Sequence, residues 1–151
     1  MATTFFYTSI AATWIVLFIC TAKRPLTFKH IMITIAAIGY SLLYEISLGE
    51  YAGLYYYINP EDSLAYLILA SVLLYPVINV IYIIFLPEKA YPAAIYTAVW
   101  VAFMLLFELA SIYTRTVVLT GWRVFPWSIV TYIATFVWIN LFFNSLKKRG
   151  L

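Results

Sequence analysis

Residues 5–22 read FFYTSIAATWIVLFICTA and are followed at once by Lys23-Arg24-Pro25. No residue of that run carries a charge, and a bilayer core about 30 Å thick takes roughly 20 apolar residues as helix. Pro25 lacks an amide hydrogen and disfavours helix in the residue before it, so the run has a marked stop. A cleavable signal peptide opens with positive charge, whereas Met1 to Thr21 holds none and the basic pair follows the apolar run. That order predicts a retained helix with its N-terminus directed outward.

The same signature recurs along the chain. A second run, Ile31 to Gly49, contains Glu45 and closes at Gly49-Glu50; a third, Ser63 to Leu86, has Tyr75-Pro76 near its middle and Pro87 at its end. A fourth, Ala93 to Tyr113, follows Tyr91-Pro92 and carries Glu108. The fifth opens at Pro126-Trp127, a favourable first turn, and runs to Leu146 before Lys147-Lys148-Arg149. Tyr51 to Asp62, with four tyrosines, Gly53 and Asn59-Pro60, reads as an interfacial loop, since tyrosine favours the headgroup layer. Thr114 to Phe125 reads as a second loop, with Arg115, Gly121, Trp122 and Arg123. A membrane β-barrel needs short segments of alternating polarity, and these runs are continuously apolar beyond strand length. The expectation is all-α: one transmembrane domain, residues 1–151, with helices over 5–22, 31–49, 63–86, 93–113 and 126–146.

Composition points the same way. Of 151 residues, 66% are hydrophobic and 10% charged, too few charges to clothe a water-soluble body of this size. The lipid bilayer is therefore the expected surrounding partner. Orientation follows from lysine and arginine in short loops. With the N-terminus outside, the cytoplasmic pieces hold Lys23, Arg24, Lys29, Lys89, Lys147, Lys148 and Arg149, while the outer pieces hold Arg115 and Arg123. Seven against two places the C-terminus in the cytoplasm of a multi-pass cell-membrane protein.

Several function classes find no support. No basic stripe interleaved with aromatics appears, so nucleic acid is not an expected partner. Cys20 is the only cysteine and His30 the only histidine, which leaves no intrachain disulfide, no histidine-rich metal site and no serine-histidine-aspartate triad to build. Every lysine lies at a boundary, so a retinal Schiff base has no buried amine. Phosphate-loop and dinucleotide fingerprints are absent. The expectation is a non-enzyme without cofactor or metal.

Ionisable residues inside a span are the natural place to look for function, because each costs about 2.5–3.5 kcal/mol at the bilayer centre on insertion scales. Glu45 and Glu108 qualify. Both are expected in the outer leaflet at similar depth, roughly 6–8 Å below the boundary at 1.5 Å per residue. Arg115 lies two turns after Glu108 and has a stem long enough to reach back toward either carboxylate. These three either fix helix packing as an ion pair or with tyrosine hydroxyls, or form a proton or cation site facing an outer cavity, or reach the wet headgroup layer. A second group is Tyr75, Pro76, Asn79 and Tyr82. The proline predicts a kink and a freed carbonyl near Ser71 or Val72, with Tyr75, Asn79 and Tyr82 on one face, either as packing glue or as a substrate path. Asn140 and Asn144, one turn apart, read as packing glue.

The basic Lys23-Arg24-Pro25-Leu26 stop, Tyr75-Pro76 with Asn79 and Tyr82, and the acidic fourth run followed by Trp122 resemble an uncharacterised family of small multi-span membrane proteins of Bacillus- and Clostridium-type bacteria. The resemblance implies a bacterial plasma membrane and about five helices; it implies no activity and no site residues. The leading expectation is an accessory or scaffold subunit acting through helix–helix contacts, which predicts a lipid-facing stripe of small or polar residues left unpaired within one copy. The alternative is a small-solute, proton or cation transporter or channel component using Glu45 and Glu108. Five helices form a thin bundle, so that alternative predicts a homo-oligomer or a larger membrane partner.

Overall fold

A computed structural model describes residues 1–150. Five helices are long and apolar enough to cross a membrane by length and composition: α1 (Ala2–Lys23), α2 (Phe28–Tyr51), α3 (Ser63–Ile84), α4 (Ala90–Tyr113) and α5 (Val124–Lys148). Each extends or trims the run read from sequence by a few residues at its ends. Thr27 caps α2 in a capping box whose usual glutamate is replaced by histidine: the Thr27 amide donates to His30 Nδ1 at 3.0 Å. Pro92 sits in the first turn of α4, where its missing donor is not needed. Phe125 is extended within a wide π-type turn over Val124–Ser128 at the start of α5, and the regular α-helix begins at Ile129.

Helix α3 is the axis of the bundle. Of its apolar window 72% is buried, against 17–22% in the other four, and every residue from Pro76 to Ile84 is buried. The other four helices present most of their apolar side chains outward, including Phe18, Leu43, Leu106 and Leu141. A bundle that is apolar inside and out is what a lipid-filled surrounding requires.

Since lipid tails are as apolar as leucine, helix association in such a setting rests on close packing and on hydrogen bonds between helices. Such bonds join several pairs of helices. The Trp14 indole of α1 donates to the Leu73 carbonyl of α3 at 3.0 Å. Tyr44 of α2 meets Thr131 of α5 at 3.0 Å, and Tyr82 of α3 meets Thr97 of α4 at 2.8 Å. Around Tyr82 the rings of Tyr96, Trp100 and Phe136 complete an aromatic cluster.

The middle of α3 departs from regular α-helix over Ala70–Leu74, a wide π-type turn that ends where Tyr75-Pro76 begins the next α segment. Proline cannot donate to the preceding turn, and the widened turn absorbs that defect. The Leu73 carbonyl taken up by Trp14 lies in this turn. A similar wide turn over Ile46–Tyr51 ends α2.

The two loops expected at the interface are not independent. Tyr55–Tyr57 (β1) and Val117–Leu119 (β2) pair antiparallel, with Tyr55 opposite Leu119 and Tyr57 opposite Val117. Three tyrosines and Val-Val-Leu are strong strand formers, and alternation turns Tyr55 and Tyr57 inward. Gly53, Ile58 and Arg115 adopt positive φ at the ends of these strands. Gly49 allows the close approach: a Cβ there would stand 3.1 Å from the Tyr55 ring and 3.3 Å from Leu67. The Thr116 hydroxyl donates to the Ala2 carbonyl at 3.1 Å, tying the start of α1 to the same cap.

Charge is divided between the two ends of the bundle. Arg24 Nη1 donates to the Ile84 carbonyl at 2.8 Å, and Lys147 pairs with Glu88 at 3.5 Å. The α1–α2 turn, the α3–α4 turn and the end of α5 therefore share one end, which gathers all seven lysines and arginines other than Arg115 and Arg123. The β-cap occupies the opposite end, with Glu50, Glu61 and Asp62.

Candidate binding cavity

Under the β-cap lies a cavity of about 120 Å³. Its walls come from all five helices and both strands, and both Glu45 and Glu108 border it. Helix α2 brings Ser41 and Glu45, one turn apart on one face; α3 brings Tyr75 and Asn79, likewise one turn apart. Helix α5 contributes Ser128 and Tyr132, and the cap contributes Tyr55, Tyr57 and Trp122.

The two carboxyl groups are held differently. Glu45, 6% exposed, accepts from the Tyr55 hydroxyl on Oε2 at 3.0 Å, and the Tyr75 hydroxyl stands beside the same carboxyl group. Glu108 is bonded on both oxygens, by Ser128 at 2.8 Å and Tyr132 at 2.9 Å. Ser128 in turn accepts from the Trp122 indole at 2.9 Å, a chain that fixes the cap to α4 and α5. Tyr57 and Tyr75 join their hydroxyls across the cap–α3 contact. Burial first, and the neighbouring Glu45 charge second, push the Tyr55 and Tyr57 phenols well above their ordinary range, so both stay protonated donors.

Several hydroxyls in the spans satisfy themselves on the carbonyl one turn back, as Ser9, Thr34, Thr97 and Ser111 do. Ser41 makes no such bond and opens on the cavity. Asn79 is 6% exposed, its amide has no hydrogen-bond partner in the protein, and it too borders the cavity. No lysine or arginine lines it. This is a partly open recess with carboxylate, amide and hydroxyl acceptors and no positive charge of its own.

The residues singled out from sequence are partly assembled here. Glu45, Glu108, Tyr75 and Asn79 meet on one cavity. Arg115 does not join them: it is exposed, at φ 58°, and of the two kinds of packing partner expected, Arg115 or tyrosine hydroxyls, it is Tyr55 and Tyr132 that bond the carboxylates. Its positive φ ends α4 and turns the chain into β2, away from the helical face that the seven-residue spacing presumed. Tyr82 does not border the cavity and serves the aromatic seam to α4 instead. Pro76 marks the wide turn that precedes Tyr75. Missed from sequence were Ser41, Tyr55, Ser128 and Tyr132. Ser41 and Ser128–Tyr132 carry one-turn spacings that were there to be read; the place of Tyr55 depends on strand pairing between distant loops.

A second, shallower space of about 710 Å³ runs between α4 and α5 at the basic end. One wall is the stripe Ala90, Ala94 and Ala98, all exposed; the other holds Asn140 and Asn144, bonded to one another at 2.7 Å. No group of three or more histidine, cysteine, aspartate or glutamate side chains converges among the described residues. Compared with known protein families, with curated proteins and with solved structures, the chain matches none of them.

Proposed function

We propose that this chain is a multi-pass cell-membrane protein, N-terminus outside, whose cavity beneath the outer β-cap binds a small cation as part of a transport or channel unit. The observation that carries the reading is a buried carboxylate oxygen and a buried, unbonded amide opening on one cavity that no cationic side chain enters. A carboxylate at this depth without a protein cation is stabilised by taking up a cation, the proton being the simplest. The wide turn in α3 beside Tyr75 and Asn79 supports it, since irregular backbone within a span gathers where a cavity is lined. Orientation rests on the seven-to-two division of lysine and arginine between the ends. The test is flux in proteoliposomes: native protein should pass protons or a monovalent cation, and Glu45→Gln with Glu108→Gln should abolish it. No flux from the native protein, or unchanged flux in the double variant, overturns the reading.

A second reading is favoured by a separate observation, the exposed alanine stripe on α4 beside Asn140 and Asn144. Small residues at one-turn spacing let another helix approach closely, which suits an accessory or scaffold subunit joined to a second copy or a larger membrane protein. Replacing Ala94 and Ala98 by isoleucine should dissociate whatever co-purifies from native membrane; an unchanged complex would remove that reading. The two are compatible, because a bundle this thin needs neighbours to enclose a path. Neither assigns a reaction to the chain.

A further inference from the structure

Resting on the cation-binding reading, we propose that the cavity's ligand is a small primary alkylammonium ion, its head group at Ser41, Glu45 and Asn79 and its alkyl tail against the apolar wall. Two acceptor-capable groups border the cavity without a protein partner, the Asn79 amide and the Ser41 hydroxyl, and the Glu45 carboxylate, held by tyrosine hydroxyls, borders it with them. A primary ammonium carries one positive charge and three N–H donors, which is the complement of that set. Asn79, more than nine-tenths buried and without a protein partner, adds an amide on the cavity that a proton alone would leave to water. A buried amide without a partner is unfavourable unless a ligand or water satisfies it.

The remaining wall disfavours other cations. Calcium and magnesium take six or more oxygen ligands and zinc favours histidine and cysteine, whereas here two carboxylates border the cavity without a third ligating acid, histidine or cysteine. Sodium or potassium would exchange a full hydration shell for a few oxygens and much hydrocarbon, since Ile78, Met104, Phe107 and Phe136 make up much of the lining. Those same side chains suit an alkyl tail. The tyrosine and tryptophan rings near the cap offer faces to a cation as well. A quaternary ammonium would use the rings but leave the acceptors without donors, and a site built to bond N–H groups rejects an analogue lacking them. A space of about 120 Å³ sets the size: at roughly 30 Å³ per water it matches about four waters, or a cation of about four to six non-hydrogen atoms.

The experiment is calorimetric titration of the full chain in lipid nanodiscs with n-butylammonium, tetramethylammonium, sodium, potassium and 1-butanol. Saturable butylammonium binding is expected, with tetramethylammonium and butanol weaker by on the order of tenfold or more. Glu45→Gln, which keeps an acceptor for Tyr55, should weaken butylammonium by at least about tenfold, and Asn79→Leu by several-fold. Circular dichroism of each variant, and Asn79→Ser as a milder second change, separate lost binding from lost folding. Butylammonium binding that is undetectable, equalled by butanol, or unaffected by Glu45→Gln overturns the ligand class. If sodium, potassium or protons are taken up in a Glu45-dependent manner while butylammonium is not, the alkylammonium proposal fails and the cation site stands. Uptake of none of them removes both.

Discussion

Replacing Tyr55 by phenylalanine deletes one hydroxyl and leaves the ring, which packs edge-on against Tyr57 and Trp122 at 6.4 Å from each. The loss is then the 3.0 Å bond to Glu45. A hydrogen bond to a charged group is worth about 1.5–3 kcal/mol in water-soluble proteins, whereas interhelical bonds in membranes average about 0.6 and reach about 1.7 kcal/mol. Glu45 borders a cavity that admits water, which softens the loss, so Tyr55→Phe should cost about 1–2 kcal/mol. In a Glu45→Gln background the same bond has a neutral acceptor and the cost should fall to about 0.5 kcal/mol, a coupling on the order of 1 kcal/mol. Equilibrium unfolding in mixed micelles of native protein, both single variants and the double variant measures this directly. Amide exchange at Tyr55–Tyr57 and Val117–Leu119 should quicken in Tyr55→Phe, because the cap loses its tie to α2. A Tyr55→Phe penalty of the same size with and without the carboxylate would refute the reasoning.

Other outcomes follow from single contacts. The Ser71 hydroxyl is fully buried with no partner, so Ser71→Ala should stabilise the protein by up to about 1 kcal/mol in the same unfolding assay. Gly49→Ala should cost about 1–3 kcal/mol and displace Tyr55, visible as faster exchange in β1, because the new methyl meets that ring and Leu67. Trp14→Phe removes the indole bond to the Leu73 carbonyl and should cost about 0.5–1.5 kcal/mol, with local exchange rising around Ala70–Leu74. The Tyr55 and Tyr57 phenols are raised above the ordinary value of 10.0, so the folded state holds these protons more tightly than the unfolded one. Their contribution is complete below about pH 10 and is lost as pH rises beyond it; tyrosinate absorbance should show them titrating only as the protein unfolds.

The helical bundle was legible because its signal is cumulative: five runs, each apolar over the length a bilayer demands, with basic or proline stops at Lys23-Arg24-Pro25, Pro87 and Lys147. Glu45 and Glu108 stood out for the same reason, as charges where charge is expensive, and the two border one cavity. The irregular turn expected before Pro76 is present over Ala70–Leu74, whereas helix ends and strand pairing were not legible. Arg115 was assigned to the face of Glu108 by counting helical turns, and the helix ends at Tyr113 before that count is complete. Tyr82 lies two turns beyond Tyr75 on the same regular α segment, where it bonds Thr97 of the neighbouring helix, the packing role that was one of the two readings of this group, while Tyr75 and Asn79 border the cavity. The β-cap pairs residues some sixty positions apart, and a three-residue strand carries too little pattern to announce its partner. His30 became a helix cap through a local bond that only its threonine neighbour hints at.

Reactivity of a thiol placed at Asn79 tests the cavity's character most directly. In a Cys20→Ser, Asn79→Cys protein reconstituted in lipid, 2-aminoethyl methanethiosulfonate should modify the new cysteine at least about tenfold faster than the sulfonatoethyl reagent, and Glu45→Gln should shrink that preference. A thiol that neither reagent reaches, or that the anionic reagent modifies as fast as the cationic one, would contradict a hydrated, cation-selective cavity beneath the β-cap.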